Sequence, residues 1–152
     1  MTIANAANSE ASDAASKGAA RDGGSKRLRI GLWVVQVLLA LAFAFSGAMK
    51  LAVPYAELLA QGAWVERVPD GLVKFIGVAE LLGALGLILP AATRIKPFLT
   101  PLAAAGFAVI MVLASALHLS LGEPPIAQVI LGGLAAFVSW GRFSRAPITP
   151  RA

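Results

Sequence analysis

The sequence contains no cysteine and a single histidine, His118. Without a thiol, the chain cannot form a disulfide, ligate an iron–sulfur cluster or attack a substrate through a thiolate. One imidazole cannot supply the several histidine ligands of a catalytic zinc site or both axial ligands of a haem. We therefore expect no metal site and no cofactor held by this chain alone, so that any redox role requires a quinone or a partner protein.

Charge is also scarce, because charged residues make up 14% of the chain, against about 25% in soluble domains. Four long apolar runs remain, at about 30–53, 72–92, 98–121 and 125–140. A hydrocarbon core of about 30 Å needs roughly 20 apolar residues per helix. The first three runs meet this length, and the fourth does so if it extends to Phe143 with Arg142 snorkelling to the interface. The predicted fold class is all-α, a membrane four-helix bundle.

The amino-terminal part of the chain has a different composition from the rest. Residues 1–25 are mainly alanine, serine, glycine and asparagine with scattered charges. Such a segment cannot bury enough apolar surface to offset the entropy of ordering, so we expect it to be disordered. The predicted division is a disordered cytoplasmic tail at 1–28, a four-helix transmembrane domain at 29–143 and a cytoplasmic carboxyl-terminal tail at 144–152.

Lysines and arginines are distributed unequally between the two sides of the predicted bundle. One side carries ten of them and the other carries three, Lys50, Arg67 and Lys74. The positive-inside rule then places both termini of this predicted multi-pass protein in the cytoplasm. The net charge of +5 is explained by this topology and by contact with anionic lipids, so we expect no nucleic-acid partner.

Glu80 is the most unusual residue of the predicted membrane helices. It lies in a run, 75–89, that otherwise holds only apolar residues and glycine. A carboxylate inside a membrane is costly unless it has a partner or a function. Helical spacing puts Glu80 on the same face as Gly77, Gly83 and Ala84, a face of small residues suited to helix packing.

Other polar side chains are predicted to lie near Glu80. A start at about residue 72 puts Glu80 about 12 Å below the end of its helix, and Ser46, Lys50 and His118 lie in the same half of the bundle. The candidate polar cluster is therefore Ser46, Lys50, Glu80 and His118. Two interpretations of Glu80 stay open, a bundle-specifying ion pair or a ligand or proton site. Lys50 could instead snorkel, and His118 could be only a polar helix tip.

The connection at 54–71 is the only sizeable loop in the predicted topology. Its aromatic and leucine side chains suit the membrane interface, and we interpret it as a re-entrant cap over the bundle. Asp70 follows Pro69 and is placed to cap the second membrane helix.

Several segments resemble the DoxX-like family of small bacterial membrane proteins. The resemblance rests on a Ser-Gly-x-x-Lys motif at 46–50 and a Gly-x-x-Glu motif at 77–80, supported by the segments 116–119 and 138–142. It covers roughly residues 32–143 and implies a four-helix membrane domain. Some members of the family are associated with thiosulfate:quinone oxidoreductase or with other membrane redox complexes.

Three functional hypotheses follow. The first is a non-catalytic accessory or scaffold subunit in the lipid bilayer, with a homo-oligomer left open. The second is a subunit of a quinone-linked oxidoreductase, with Glu80, His118 and Lys50 near the quinone and a membrane or soluble redox partner. The third and weakest is transport of a small solute or protons. A quinone site predicts an apolar cavity beside Glu80 and His118, whereas a scaffold predicts a filled bundle with Glu80 paired.

Overall fold

The computed structural model describes residues 2–151, with side chains for 26–60 and 62–151. The described chain is helical and contains no strand. Its elements are α1 (Thr2–Ala52), α2 (Tyr55–Leu58), a 3₁₀ turn (Leu59–Gln61), α3 (Ala63–Glu66), α4 (Asp70–Thr93), α5 (Leu99–Ser120), α6 (Ile126–Trp140) and a π-helical turn (Gly141–Arg145). The predicted disordered tail falls mostly on residues 1–25, which lie outside the residues described with their side chains.

Four helices are long and apolar enough to cross a membrane, namely Lys26–Ala52, Asp70–Thr93, Leu99–Ser120 and Ile126–Arg145. The shortest has 20 residues, which at 1.5 Å per residue gives about 30 Å, the thickness of the hydrocarbon core. The protein is therefore a multi-pass membrane protein with an all-α fold, as predicted. The fourth span continues from α6 into the π-helical turn and ends two residues beyond Phe143.

The helix ends follow from proline and backbone conformation more than from side-chain caps. Pro69 precedes α4 and Pro125 precedes α6, and neither helix start has a side-chain cap hydrogen bond. The predicted capping role of Asp70 is therefore wrong, because Asp70 is itself the first residue of α4. At the other end α4 stops where Arg94 adopts a left-handed conformation, with φ of 60°.

The four membrane helices pack in chain order, α1 against α4, α4 against α5 and α5 against α6, and α6 also contacts α1. Their shared core is apolar, and Phe43 and Phe107 stack at its centre with ring centroids 3.7 Å apart and planes 7° from parallel. Gly83 makes room for this stack, because a Cβ there would lie 2.5 Å from the Phe107 ring. An aromatic layer thus fills the middle of the bundle.

The outward faces of the same helices remain apolar. Large side chains on all four of them are more than half exposed, among them Leu38, Phe45, Leu82, Val112 and Val129. In a membrane this surface is solvated by lipid tails, so its exposure costs nothing. The bundle therefore contacts the bilayer over most of its circumference.

The connection between α1 and α4 folds back over one end of the bundle, which we call the loop end. The apolar side chains Leu58, Val65, Val68 and Val73 form a small buried cluster there. The Tyr55 hydroxyl lies within hydrogen-bond distance of the carbonyl oxygens of Val65, at 3.1 Å, and Val68, at 2.9 Å, and its single proton is donated to one of them or shared between both. The loop is thus a packed cap, as the sequence predicts.

Candidate functional site

The site begins at the crossing of α1 and α4, where the two backbones touch. A Cβ atom on Gly47 would lie 2.6 Å from the carbonyl oxygen of Gly77, and one on Gly77 would lie 3.0 Å from that of Gly47. Only glycine permits this approach, because any side chain would push the helices apart. The crossing brings Lys50 and Glu80, each three residues further along its helix, to the same place.

Lys50 binds both of its predicted neighbours on α1 and α4. Its Nζ donates to Glu80 Oε2 at 2.8 Å and to Ser46 Oγ at 2.5 Å. The side chains are largely withdrawn from solvent, with 13% of Lys50 and 4% of Glu80 exposed. We call Ser46, Lys50 and Glu80 the Glu80 triad. Lys50 therefore points inward and does not snorkel.

The cap completes the surroundings of the triad. Trp64 of α3 lies with its ring centroid 5.8 Å from Lys50 Nζ, within the range of a cation–π interaction. The ammonium group is thus held by a carboxylate, a hydroxyl and an aromatic face, each from a different part of the chain. This arrangement ties the re-entrant loop to the helix crossing.

His118, the fourth predicted member, makes its contact elsewhere. Its Nδ1 lies 2.8 Å from Glu123 Oε2, and its carbonyl oxygen accepts the Glu123 backbone N–H at 2.9 Å. Among the described residues, no hydrogen bond or ion pair joins His118 to the Glu80 triad. The structure therefore brings three of the four predicted residues together. His118 instead binds Glu123, in the segment that follows α5.

The pairing of Lys50 with Glu80 limits the chemistry that the triad can perform. The charges of Glu80 and Lys50 neutralise each other, and the lysine is already shared between two oxygen acceptors. No group of three or more metal-ligating side chains occurs among the residues described. A cavity of about 300 Å³ does exist, but it lies at the opposite end of the bundle. We call that the basic end.

A second polar cluster, which the sequence analysis missed, lies towards the basic end. Gln36 is fully buried, and its Nε2 donates to the carbonyl oxygen of Leu87 at 2.6 Å. Thr100 makes a longer contact of 3.4 Å with the same oxygen. On its other side Gln36 accepts a hydrogen bond from Arg142 Nε at 3.1 Å. We call Gln36, Thr100 and Arg142 the Arg142 cluster.

The burial of Arg142 differs from the sequence interpretation. We expected it to snorkel as a topology anchor, yet only 4% of the residue is exposed. Its guanidinium lies 5.4 Å from the centre of the Trp33 ring. Gln36 is the one polar side chain in the apolar run 30–45, and Arg142 is the one charge in the fourth predicted span, so a signal was present. What periodicity does not supply is the pairing of two residues 106 positions apart.

The model of the DoxX-like family matches residues 34–141. The match covers both the Glu80 triad and most of the four spans, and it agrees with the family resemblance seen in the motifs. We found no match to the chain among curated proteins or among solved structures. The chain belongs to the DoxX-like family.

Proposed function

We propose that this DoxX-like protein is a non-catalytic accessory or scaffold subunit of a membrane complex. One observation carries the proposal: the carboxylate of Glu80 accepts a hydrogen bond from Lys50, which also donates to Ser46, at a backbone contact between two helices. A carboxylate held in this way fixes helix register and is poorly placed to exchange protons or bind a ligand.

The packing of the bundle supports the same proposal. The stacked rings of Phe43 and Phe107 occupy the space between the Glu80 triad and the Arg142 cluster. A transport path along the bundle axis would have to pass this apolar layer. A quinone beside Glu80 and His118 would need space next to the triad, where the helices are in contact at Gly47 and Gly77.

The proposed location is a bacterial plasma membrane with both termini in the cytoplasm. Between residues 26 and 151, the basic end carries eight lysines and arginines and no aspartate or glutamate. The loop end carries Glu57, Glu66, Asp70 and Glu123. The positive-inside rule assigns the basic end to the cytoplasm. Alkaline phosphatase fused to the carboxyl terminus should be inactive, and fused within the 59–62 turn it should be active.

The experiment for the scaffold role removes both charges of the triad at once. In the Glu80→Gln/Lys50→Met double variant, neither charge of the triad is left buried without its partner, so the protein should fold. If the protein is a scaffold, affinity purification of the double variant from native membranes should yield the same co-purifying proteins, in a complex of the same mass. Its quinone-dependent reductase activity in those membranes should equal that of the wild type.

The quinone-linked subunit is the alternative outcome of this experiment. If the double variant accumulates normally and keeps its partners but loses quinone-dependent activity, the triad is functional and the scaffold proposal is wrong. Lys74→Met is the matched control, since Lys74 is an exposed lysine at the start of α4. It should change neither the complex nor the activity.

A further inference from the structure

The cavity of about 300 Å³ at the basic end lies between three segments of the chain. Phe98, just before α5, and Pro101 of α5 line it on one side, Arg142 and Phe143 line it from the π-helical turn, and Ile148 lines it from the carboxyl-terminal tail. The tail is held in place because the Arg151 N–H donates to the Arg94 carbonyl oxygen at 3.1 Å. Arg142 is the only charged residue among those that line the cavity, and the others are apolar.

That guanidinium has an unused hydrogen-bond donor. Arg142 is 4% exposed, and its Nε is bound to Gln36, but its buried Nη2 has no hydrogen-bond partner among the residues described with their side chains. A buried charge is costly unless it is paired and its hydrogen bonds are made. The neutral amide of Gln36 supplies one acceptor and no charge. Within the described part of the chain, Arg142 therefore has no anionic partner.

The described chain offers no anion at this end to complete the pair. Between residues 26 and 151, this end carries eight basic side chains and no aspartate or glutamate. The eight are Lys26, Arg27, Arg29, Arg94, Lys96, Arg142, Arg145 and Arg151. The charge of Arg29 acts repulsively on Arg142. The counter-charge must come from outside the residues described.

The position of the cavity indicates what kind of anion can reach it. Arg142 lies against Trp33, and Arg145 lies 5.4 Å from the Trp140 ring. Tryptophans of this kind mark the headgroup level of a membrane. The volume is that of about ten water molecules, enough for a phosphate group and a few attached carbon atoms. Guanidinium groups bind phosphate oxygens with charge-assisted hydrogen bonds.

We propose that this cavity is a binding site for a phosphate group, with Arg142 as its charged donor and the apolar walls favouring phosphate esterified to a lipid. In a membrane the ligand is then the headgroup of an anionic phospholipid, whose glycerol carbons lie against Phe98, Phe143 and Ile148. The site is separate from the Glu80 triad, so this inference stands whether or not the scaffold proposal does.

The test measures binding by the purified full-length protein in neutral detergent, from its thermal unfolding and from native mass spectrometry. The added probes are phosphatidylglycerol, phosphatidylcholine and inorganic phosphate, each alone. The wild type should retain phosphatidylglycerol in preference to phosphatidylcholine. Loss of one hydrogen bond between charged groups corresponds to roughly a tenfold weaker binding, which is the effect we expect for Arg142→Gln. Arg145→Gln removes the same charge from the same turn but spares the cavity, and it should bind normally.

A second pair of variants leaves Arg142 in place, in case Arg142→Gln fails to fold. Ile148→Glu puts a carboxylate into the cavity from the irregular tail, where it competes with phosphate for the guanidinium. Ile148→Gln has the same shape without the charge. Both should unfold like the wild type without lipid, and only Ile148→Glu should weaken phosphatidylglycerol binding by about tenfold.

Each result has a definite meaning for the proposal. An effect of phosphatidylglycerol that Ile148→Glu abolishes establishes a lipid phosphate site. An effect of inorganic phosphate alone, abolished by the same variant, upholds the phosphate site and identifies free phosphate as its source. Equal losses from Arg142→Gln and Arg145→Gln would show only general attraction to the basic end and overturn the proposal. Equal behaviour of the two Ile148 variants would overturn it as well.

Discussion

Removing Lys50 alone should destabilise the bundle more than removing both members of its ion pair. At the observed 2.8 Å between Nζ and Oε2, the Coulomb attraction is about 6 kcal/mol with an effective dielectric constant of 20. Most of this gain is offset by the cost of taking both charges out of water. The net contribution of the pair is therefore small, whereas a single unpaired charge keeps the whole cost of burial.

The structure also predicts that the two single variants are unequal. Lys50→Met leaves the Glu80 carboxylate 4% exposed, and we expect a loss of about 3–5 kcal/mol in the free energy of unfolding. Glu80→Gln leaves an ammonium group that is 13% exposed, on a flexible stem. That group can move towards water, so we expect a smaller loss of about 1–3 kcal/mol. The double variant should lie within about 1 kcal/mol of the wild type.

The free energies can be measured by unfolding the protein with sodium dodecyl sulfate in mixed micelles, followed by circular dichroism. A coupling energy of about 2 kcal/mol or more between the two substitutions is expected for a contacting buried pair. Lys74→Met and Glu57→Gln remove exposed charges at the same end and should change stability by less than about 0.5 kcal/mol. Strictly additive effects of the two triad substitutions would refute the ion-pair reasoning.

Three further predictions concern packing and hydrogen bonds elsewhere in the molecule. Gly47→Ala should cost about 1–3 kcal/mol by overpacking the crossing, whereas Gly106→Ala, where a Cβ would meet nothing within 4 Å, should be neutral or stabilising in the same unfolding assay. Gln36→Leu should lower the free energy of unfolding by about 2–4 kcal/mol because it leaves the buried Arg142 Nε without its acceptor and removes the shorter of two hydrogen bonds to the Leu87 carbonyl oxygen; a loss below about 1 kcal/mol would contradict this. Tyr55→Phe removes the hydroxyl that holds the cap, so hydrogen exchange over 54–69 should speed up while exchange in α5 stays unchanged.

The membrane fold could be predicted from the sequence in most of its parts. Four apolar runs of spanning length allow few alternatives, because a helix satisfies its own backbone hydrogen bonds within lipid. Helical periodicity correctly placed Glu80 and Gly77 on an inward face, where both are buried. The predicted cap of α4 was wrong by one residue, because Asp70 is the first helical residue and not the cap. The residue at which a helix starts depends on local backbone geometry, which the sequence pattern does not specify.

The sequence predicted most of the residues of the candidate site, but it did not predict which residue binds which. Ser46 and Lys50 could be assigned to Glu80 because all three lie at a similar depth on inward faces. His118 met the same criteria of depth and face, yet it binds Glu123 five residues further along the chain. A nearby partner in sequence competes effectively with a distant one, since it requires no precise helix crossing.

The sequence by itself determined that the chain spans a membrane four times and that a carboxylate lies inside it, because hydropathy and the thickness of a bilayer leave no other arrangement. Only the tertiary structure decided what each buried charge binds. The backbone contact at Gly47 and Gly77 sets the distance and rotation of two helices and so gives Glu80 its lysine. At the other end, the turn after α6 directs Arg142 inward to the amide of Gln36 and leaves one of its nitrogens without a partner among the described residues. Both results depend on angles between helices, which a one-dimensional pattern does not specify.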